Sequence, residues 1–405
     1  MTKEEAKTLA CRISALSVFR GILDTDVMEA LSELLSCDGD VRTRMSLYGR
    51  FVYALGEYGY SFSDFLRRSV YEDENKYVIS VAEGKKLSQA LAENTEADLR
   101  LLSKLTRIMP EDFREYLGYD GYIPQYENRE ADFVREYAER MADIGRCGYG
   151  IFAGAGMFRV ESRPHGGCDI VPVDAADSVT KDDFVGYDAE RAQVFDNTRT
   201  LIDGGPAANV LLFGDAGTGK SSTVKACANY FYHEGVRLIE LRRDQILSLS
   251  CVMGRIAKNP LKFIIFIDDL SFNKNDDSFS MLKAALEGSA SAVAKNAVIY
   301  ATSNRRHIVK ESFSDRADDD VHHGDTVQEL MSLSDRFGLI VYFQRPDKRL
   351  YLEIVHALAE RAGVKLPQGE LDIKAEAFAL AKGSRSPRAA EQFIDSLRIG
   401  TQEHG

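Results

Sequence analysis

The chain has 405 residues, 44% of them hydrophobic and 28% charged, and carries a formal net charge of −12 at pH 7. One hydrophobic core rarely grows past about 250–300 residues, so this length implies two or three domains. The ordinary composition excludes a disordered or fibrous chain, and the acidic balance disfavours nucleic-acid partners, which need a local basic patch.

The segment Met1-Thr-Lys-Glu-Glu-Ala-Lys7 is too charged for a signal peptide. No apolar run approaches the roughly 18 residues of a membrane span; the longest is Phe263–Ile267. Cys11, Cys37, Cys147, Cys168, Cys227 and Cys251 form no CxxC pair and no zinc-ligand spacing, so they read as single reduced thiols. Together these features predict a cytoplasmic protein without a membrane partner.

In chain order, residues 1–145 read as a mainly helical domain. Leu9, Ile13, Leu16 and Phe19 recur at helical spacing, as do Leu99, Leu102 and Leu105. Tyrosine is dense here and is expected to supply half-exposed core rings. Residues 146–180 hold Gly148, Gly150, Gly154, Gly156, Gly166 and Gly167, which interrupt helices and predict a connection, with a short strand pair around 150–160. Over 181–345, β-rich runs at Val210–Phe213, Leu238–Leu241, Phe263–Ile267, Val298–Thr302 and Leu339–Phe343 alternate with helical segments. That alternation predicts an α/β domain around a parallel five-stranded sheet covered on both faces. Residues 346–405 read as a small helical domain, with helices over 347–362, around 373–381 and over 387–398. Ser386 and Pro387 make a favourable start for the last of these.

The strongest local signal is Val210-Leu-Leu-Phe-Gly214-Asp215-Ala216-Gly217-Thr218-Gly219-Lys220-Ser221-Ser222, a strand, a GxxxxGKS loop and a helix start. Glycines let successive backbone N–H groups converge on phosphate oxygens, and the helix presents its positive end to them. Lys220 supplies charge to the terminal phosphates and Ser221 a hydroxyl to Mg²⁺. This P-loop, or Walker A motif, predicts ATP and Mg²⁺ as cofactors. Asp268 follows the strand Phe263–Ile267, where a carboxylate beside the P-loop strand would hold the metal. Asp269 is placed to orient or activate water, or is a solvated loop acid.

The pattern resembles the AAA+ ATPases, and more closely an uncharacterised AAA+ family known simply as ATP-binding proteins. The resemblance runs from about Gly148 to Ser396. It is carried by Gly186-Tyr187-Asp188, the P-loop, Phe266-Ile-Asp-Asp-Leu-Ser-Phe272, Leu286-Glu-Gly288, Tyr300-Ala-Thr-Ser-Asn-Arg-Arg-His307 and Leu333-Ser-Asp-Arg-Phe-Gly338. It implies a P-loop NTPase core of AAA+ type with a C-terminal helical lid. It implies Asn304 as the sensor-1 residue near the γ-phosphate, and Arg336 as an arginine finger donated to a neighbouring subunit. Arg388 in Ser386-Pro-Arg would be the sensor-2 residue, with Arg385 as the fallback. Val185, Gly186 and Tyr187 align with the segment that packs on adenine.

Two features depart from that pattern. Asp269 stands where the family has glutamate, and Arg242-Arg-Asp-Gln-Ile lacks a pore loop that would thread polypeptide. The acidic and histidine-rich stretch with Asp318, Asp319, Asp320, His322, His323 and Asp325 reads as a solvated loop or a metal site. The expected function is a hydrolase: an ATPase, by its finger a homo-oligomer in a ring or open assembly, that remodels or loads an unidentified protein client. A slow ATP-dependent conformational switch is the first alternative. A nucleic-acid-associated ATPase of clamp-loader or branch-migration type, using Arg242, Arg243, Arg305 and Arg306, is the second and is disfavoured by charge.

Overall fold

The computed structural model describes residues 1–163, 167–173, 178–270, 277–286, 294–304 and 336–402. The chain divides into two compact units, Met1–Gly154 with Lys258–Pro260, and Ala155–Ala257 with Leu261–Gly405.

The first unit is helical: α1 (Lys3–Ser14), α2 (Asp26–Leu35), α3 (Val41–Ala54), α4 (Phe62–Glu72), α5 (Lys76–Ala82), α6 (Gln89–Leu105), α7 (Arg114–Leu117), α8 (Phe133–Ala142) and α9 (Ile144–Cys147). Helix starts are set by short polar side chains that accept the orphan N–H two or three residues on. Thr2, Thr25, Asp40, Ser61, Asn75, Ser88 and Asp132 all do this. Leu16 and Phe19, read from the sequence as continuing the first helix, lie beyond its end at Ser14. They are buried all the same. The buried carboxylate of Asp98 stops the chain there by accepting the N–H groups of Ser17, Val18 and Phe19 at 2.9, 2.7 and 3.2 Å.

The tyrosines separate into two kinds. Tyr48, Tyr116 and Tyr126 bury their rings and donate their hydroxyls to the carbonyls of Pro124, Leu34 and Ile108. A buried phenol needs such a partner, which makes these rings specific core elements. Tyr53 and Tyr122 are 82% and 78% exposed.

The second unit is α/β. Its sheet holds β1 (Met157–Ser162), β2 (Cys168–Pro172), β3 (Val210–Gly214), β4 (Val236–Glu240), β5 (Lys262–Ile267), β6 (Ala297–Asn304) and β7 (Leu339–Phe343). Their order is β2-β1-β4-β5-β6-β3-β7, parallel throughout except for the β1–β2 pair. The sheet therefore has seven strands rather than the five expected. The two added strands come from the glycine-rich stretch read as a connection, where the strand pair expected around 150–160 lies at 157–172. In β1, which lies between β2 and β4, Phe158–Glu161 alternates buried and exposed positions, the two-residue period of a strand. The central strand β5 is buried through Phe263–Ile267, as a sheet covered on both faces requires.

Helices α10 (Asp188–Ile202), α11 (Lys220–Tyr230), α12 (Leu249–Ile256) and α13 (Asp277–Leu286) connect the strands. Three more follow β7: α14 (Lys348–Arg361), α15 (Gln368–Ala381) and α16 (Pro387–Gln402). Tyr351, Ile354 and Val355 pack with Leu371, Ala375, Phe393 and Ile394 into a separate small core. Gly363, at φ 68°, ends the first of the three in the left-handed conformation that glycine takes at no steric cost.

A second correction concerns the cysteines. Cys168 on β2 and Cys251 on α12 are joined as a disulfide, whereas Cys11, Cys37, Cys147 and Cys227 are free thiols. The pair is 83 residues apart in sequence, so only the packing of α12 on the edge strand brings it together. Among the described residues, no helix is long and apolar enough to cross a membrane.

Candidate functional site

Parallel strands end on one edge of a sheet, so their C-terminal residues meet there. Gly214, the last residue of β3, is in register with Asn304 at the end of β6 and with Phe343 at the end of β7. On the other side of β6, Ile267 pairs with Ala301, which brings Asp268 level with Thr302. The sequence reading put the Asp268 strand beside the P-loop strand. In the structure β6 lies between them. The intervening strand is what carries Asn304 and Thr302 into the site.

The glycine loop turns tightly on Gly214, Gly217 and Gly219, with φ of 144°, 76° and 89°. At Gly214 a Cβ would stand 2.1 Å from the Phe343 carbonyl oxygen, so the close pairing with β7 also demands glycine. Thr218 is buried and its hydroxyl donates to the Asp215 carbonyl at 2.9 Å, bracing the loop from within. Gly219 caps α11, whose first residue is Lys220.

Lys220 is only 6% exposed. Its Nζ donates to the carbonyls of Gly214 at 3.0 Å and Asp215 at 2.7 Å, and to Asn304 Oδ1 at 3.3 Å. Burial pulls its pKa down from 10.5 to about 8, outweighing the opposing pull of Asp215, Asp268 and Asp269. Asn304 then donates from Nδ2 to Asp269 Oδ1 at 2.7 Å. Lys220, Asn304 and Asp269 are thus one hydrogen-bonded chain across the sheet edge.

A second chain runs beside it. Ser221 Oγ donates to Asp268 Oδ1 at 2.6 Å, and Thr302 Oγ1 donates to the same oxygen. The Asp269 N–H points at Thr302 Oγ1, 2.9 Å away. Asp269 itself has φ 51°. Few residues other than glycine adopt that conformation, though aspartate does so more readily than most. Thr302 was not singled out from sequence; its signal is its position two residues before Asn304 on the same strand.

The three C-terminal helices meet this loop. The Arg388 N–H donates to the Gly217 carbonyl at 3.3 Å, and a Cβ at Gly217 would meet Arg388 Cβ at 3.1 Å. Arg385 points elsewhere, forming a two-pronged ion pair with Glu376 at 2.9 and 2.7 Å. Arg388, Pro387, Ile354 and Leu358 line a cleft together with Val185, Gly217, Gly219 and Ser222. Burial raises the pKa of Glu391 on the same wall, against the lowering influence of Arg388. In the loop, Asp215 is half-buried and Ala216 is exposed.

Val185, Gly186 and Tyr187 do not act as a unit. Val185 lines the cleft. Gly186, at φ 74°, faces Leu350, which would stand 2.6 Å from a Cβ there. Tyr187 turns into the core, its ring 5.4 Å from Phe343 and its hydroxyl donating to the Gln344 carbonyl at 2.7 Å. Arg336 is half-buried in the turn that leads into β7. Asp318, Asp319, Asp320, His322, His323, Asp325, Arg305 and Arg306 lie outside the described residues, among which no group of three metal-binding side chains occurs.

The glycine loop, the sheet order and the acid and asparagine at its edge define an α/β P-loop protein of the AAA+ class. A family model described as "Protein of unknown function (DUF815)" matches residues 154–401, and the chain belongs to that family. No curated protein matches the sequence. Among solved structures, the Thermotoga maritima RuvB Holliday junction branch migration motor is 16% identical, covering 55% of this chain and 64% of its own, with a TM-score of 0.37. AMPPCP-bound DnaA from Aquifex aeolicus is 15% identical, covering 56% of this chain and 67% of its own, with a TM-score of 0.39. This chain thus spans under two thirds of the RuvB motor it matches.

Proposed function

We propose that the chain is an AAA+ ATPase that binds Mg-ATP, hydrolyses it to ADP and phosphate, and works as a homo-oligomer to remodel or load a protein partner. The reading is supported by the two hydrogen-bonded chains at the sheet edge, Lys220–Asn304–Asp269 and Ser221–Asp268–Thr302, which gather a cation, an amide, two hydroxyls and two acids there.

In this reading the amides of Gly217–Ser222 and the start of α11 hold the phosphates. Lys220 exchanges its carbonyl partners for phosphate oxygens. The hydroxyl of Ser221 and the carboxylate of Asp268 are hard oxygen donors of the kind Mg²⁺ takes, and they would hold it. Bound there, the ion would neutralise charge on the phosphates. Asn304 orients a water and Asp269 accepts its proton as the water oxygen attacks the γ-phosphorus, while the bond from that phosphorus to the β–γ bridging oxygen breaks and ADP leaves with its electron pair. Arg388 reaches the phosphates from the C-terminal helices, while Arg336 serves a neighbouring subunit's site. Val185, Ile354 and Leu358 offer an apolar wall to adenine.

The test is ATP turnover per subunit as protein concentration rises, with Lys220→Ala alongside. Turnover that climbs with concentration, and a variant without nucleotide affinity, are expected. A wild type inactive at every concentration, or a variant that binds and turns over ATP normally, contradicts the proposal.

One observation favours a second reading, a slow nucleotide switch. Asp269 is shorter than the glutamate of the wider class and its carboxylate is already engaged by Asn304. Single-turnover hydrolysis separates the two, since a fast chemical step removes the switch. The nucleic-acid reading has no such support: Arg242 is paired with Asp244 at 3.3 Å in a chain of net charge −12.

A further inference from the structure

Arg191 lies on the second turn of α10 and is 7% exposed, an unusual place for a cation. Its Nη1 donates to the Gly186 carbonyl, and its guanidinium carbon sits 4.1 Å from the centre of the Phe184 ring. Its Nε is buried and has no hydrogen-bond partner. Leaving a buried donor of a charged group unmet is costly, so such a group points to something absent from the chain itself. Burial also pulls its pKa down to about 10, with Asp188, Tyr187 and Glu190 pulling the other way.

The position of the side chain says what the missing partner is. Arg191 lines the cleft. It holds the segment that supplies Val185 to the apolar wall, through Phe184 and Gly186. On its other side, Nη2 lies 3.8 Å from the place a Cβ would take at Gly219, the last glycine of the phosphate loop. It therefore stands where the apolar wall meets the phosphate loop. In a nucleoside polyphosphate, the group joining the nucleoside to the outer phosphates is the α-phosphate. A planar guanidinium suits a phosphate better than any other side chain.

We infer that Arg191 is a further nucleotide-binding residue, which donates through its guanidinium to the phosphate nearest the sugar. The inference rests on the nucleotide reading above and adds a contact outside the glycine loop. Because ATP and ADP share that phosphate, loss of the contact weakens both by the same factor. A residue reading the terminal phosphate would instead separate them.

The experiment measures MgADP and Mg-ATP-analogue affinity by calorimetry for wild type, Arg191→Met and Arg191→Lys, with melting of each free protein. Arg191→Met is expected to lose about tenfold or more for both nucleotides by similar factors. Arg191→Lys, which keeps the charge and loses the fork, is expected to lie between. Unchanged affinity in Arg191→Met, or a loss confined to the triphosphate, overturns the inference. If Arg191→Met does not fold, the wild type still decides. With ¹⁵N-labelled arginine, the Nε–H resonance missing from the Arg191→Lys spectrum is expected to shift on adding MgADP, and an unmoved resonance overturns the inference. A wild type that binds neither nucleotide sinks the nucleotide reading itself; a wild type that binds with Arg191→Met unchanged sinks only this one.

Discussion

Raising the pH through 8 should weaken nucleotide binding, because the Lys220 ammonium is the charge a polyphosphate would meet. In the free protein its pKa is held near 8 by burial. The cation is then about nine-tenths populated at about pH 7 and about one-tenth populated at about pH 9. A bound phosphate favours the charged form, so nucleotide binding takes up a proton above pH 8. The sign is fixed: affinity falls as pH rises. Between about pH 7 and about pH 9 the loss is about tenfold, or about 1.4 kcal/mol. The stability of the free protein moves the other way. The depressed pKa means the unfolded chain binds more protons between pH 8 and 10.5, so the cost of burying this lysine is full below pH 8 and fades as pH rises through that window. The assay is MgADP titration at constant ionic strength in two buffers of different ionisation heat, which counts the proton directly. A variant with Lys220→Arg, charged throughout, should show no such fall. A wild-type affinity that is flat or rising from about pH 7 to about pH 9 would refute the reasoning.

Three further outcomes are expected. Arg336→Ala should bind ATP as the wild type does while turnover falls about 10³-fold or more, checked by steady-state assay; equal turnover removes the finger role. Asp269→Ala should keep nucleotide affinity and lower the single-turnover rate by about 10²–10⁴-fold, and an unchanged rate would leave Asp269 as a loop acid. Thiol titration of protein unfolded without reductant should count four groups, the free cysteines 11, 37, 147 and 227; six would mean that Cys168 and Cys251 are unpaired.

The glycine loop could be read from the chain because its chemistry is contiguous. Its three glycines, its lysine and its serine lie within eight residues, and their backbone angles follow from residue type. The parallel strands were legible for a similar reason, since burial on both faces leaves unbroken runs such as Phe-Ile-Ile-Phe-Ile. The β1–β2 pair was legible only as a short strand pair around 150–160 and lies later, at 157–172, because glycines around it read as breaks and blur where its strands begin. The same limit hid the partnership of Cys168 with Cys251.

What no local pattern carries is register. That β6 separates the P-loop strand from the Asp268 strand, that Thr302 shares an oxygen of Asp268 with Ser221, and that Arg388 meets Gly217 while Arg385 turns to Glu376 are products of distant segments packing together. Tyr187 shows the same thing from the other side: two residues on from Val185, it enters the core while Val185 lines the cleft. Residue types set which groups are available for phosphate chemistry, because charge and backbone freedom are local properties. Which of those groups share a hydrogen bond is decided by strand order and helix packing, because only the folded sheet brings together ends of the chain more than eighty residues apart.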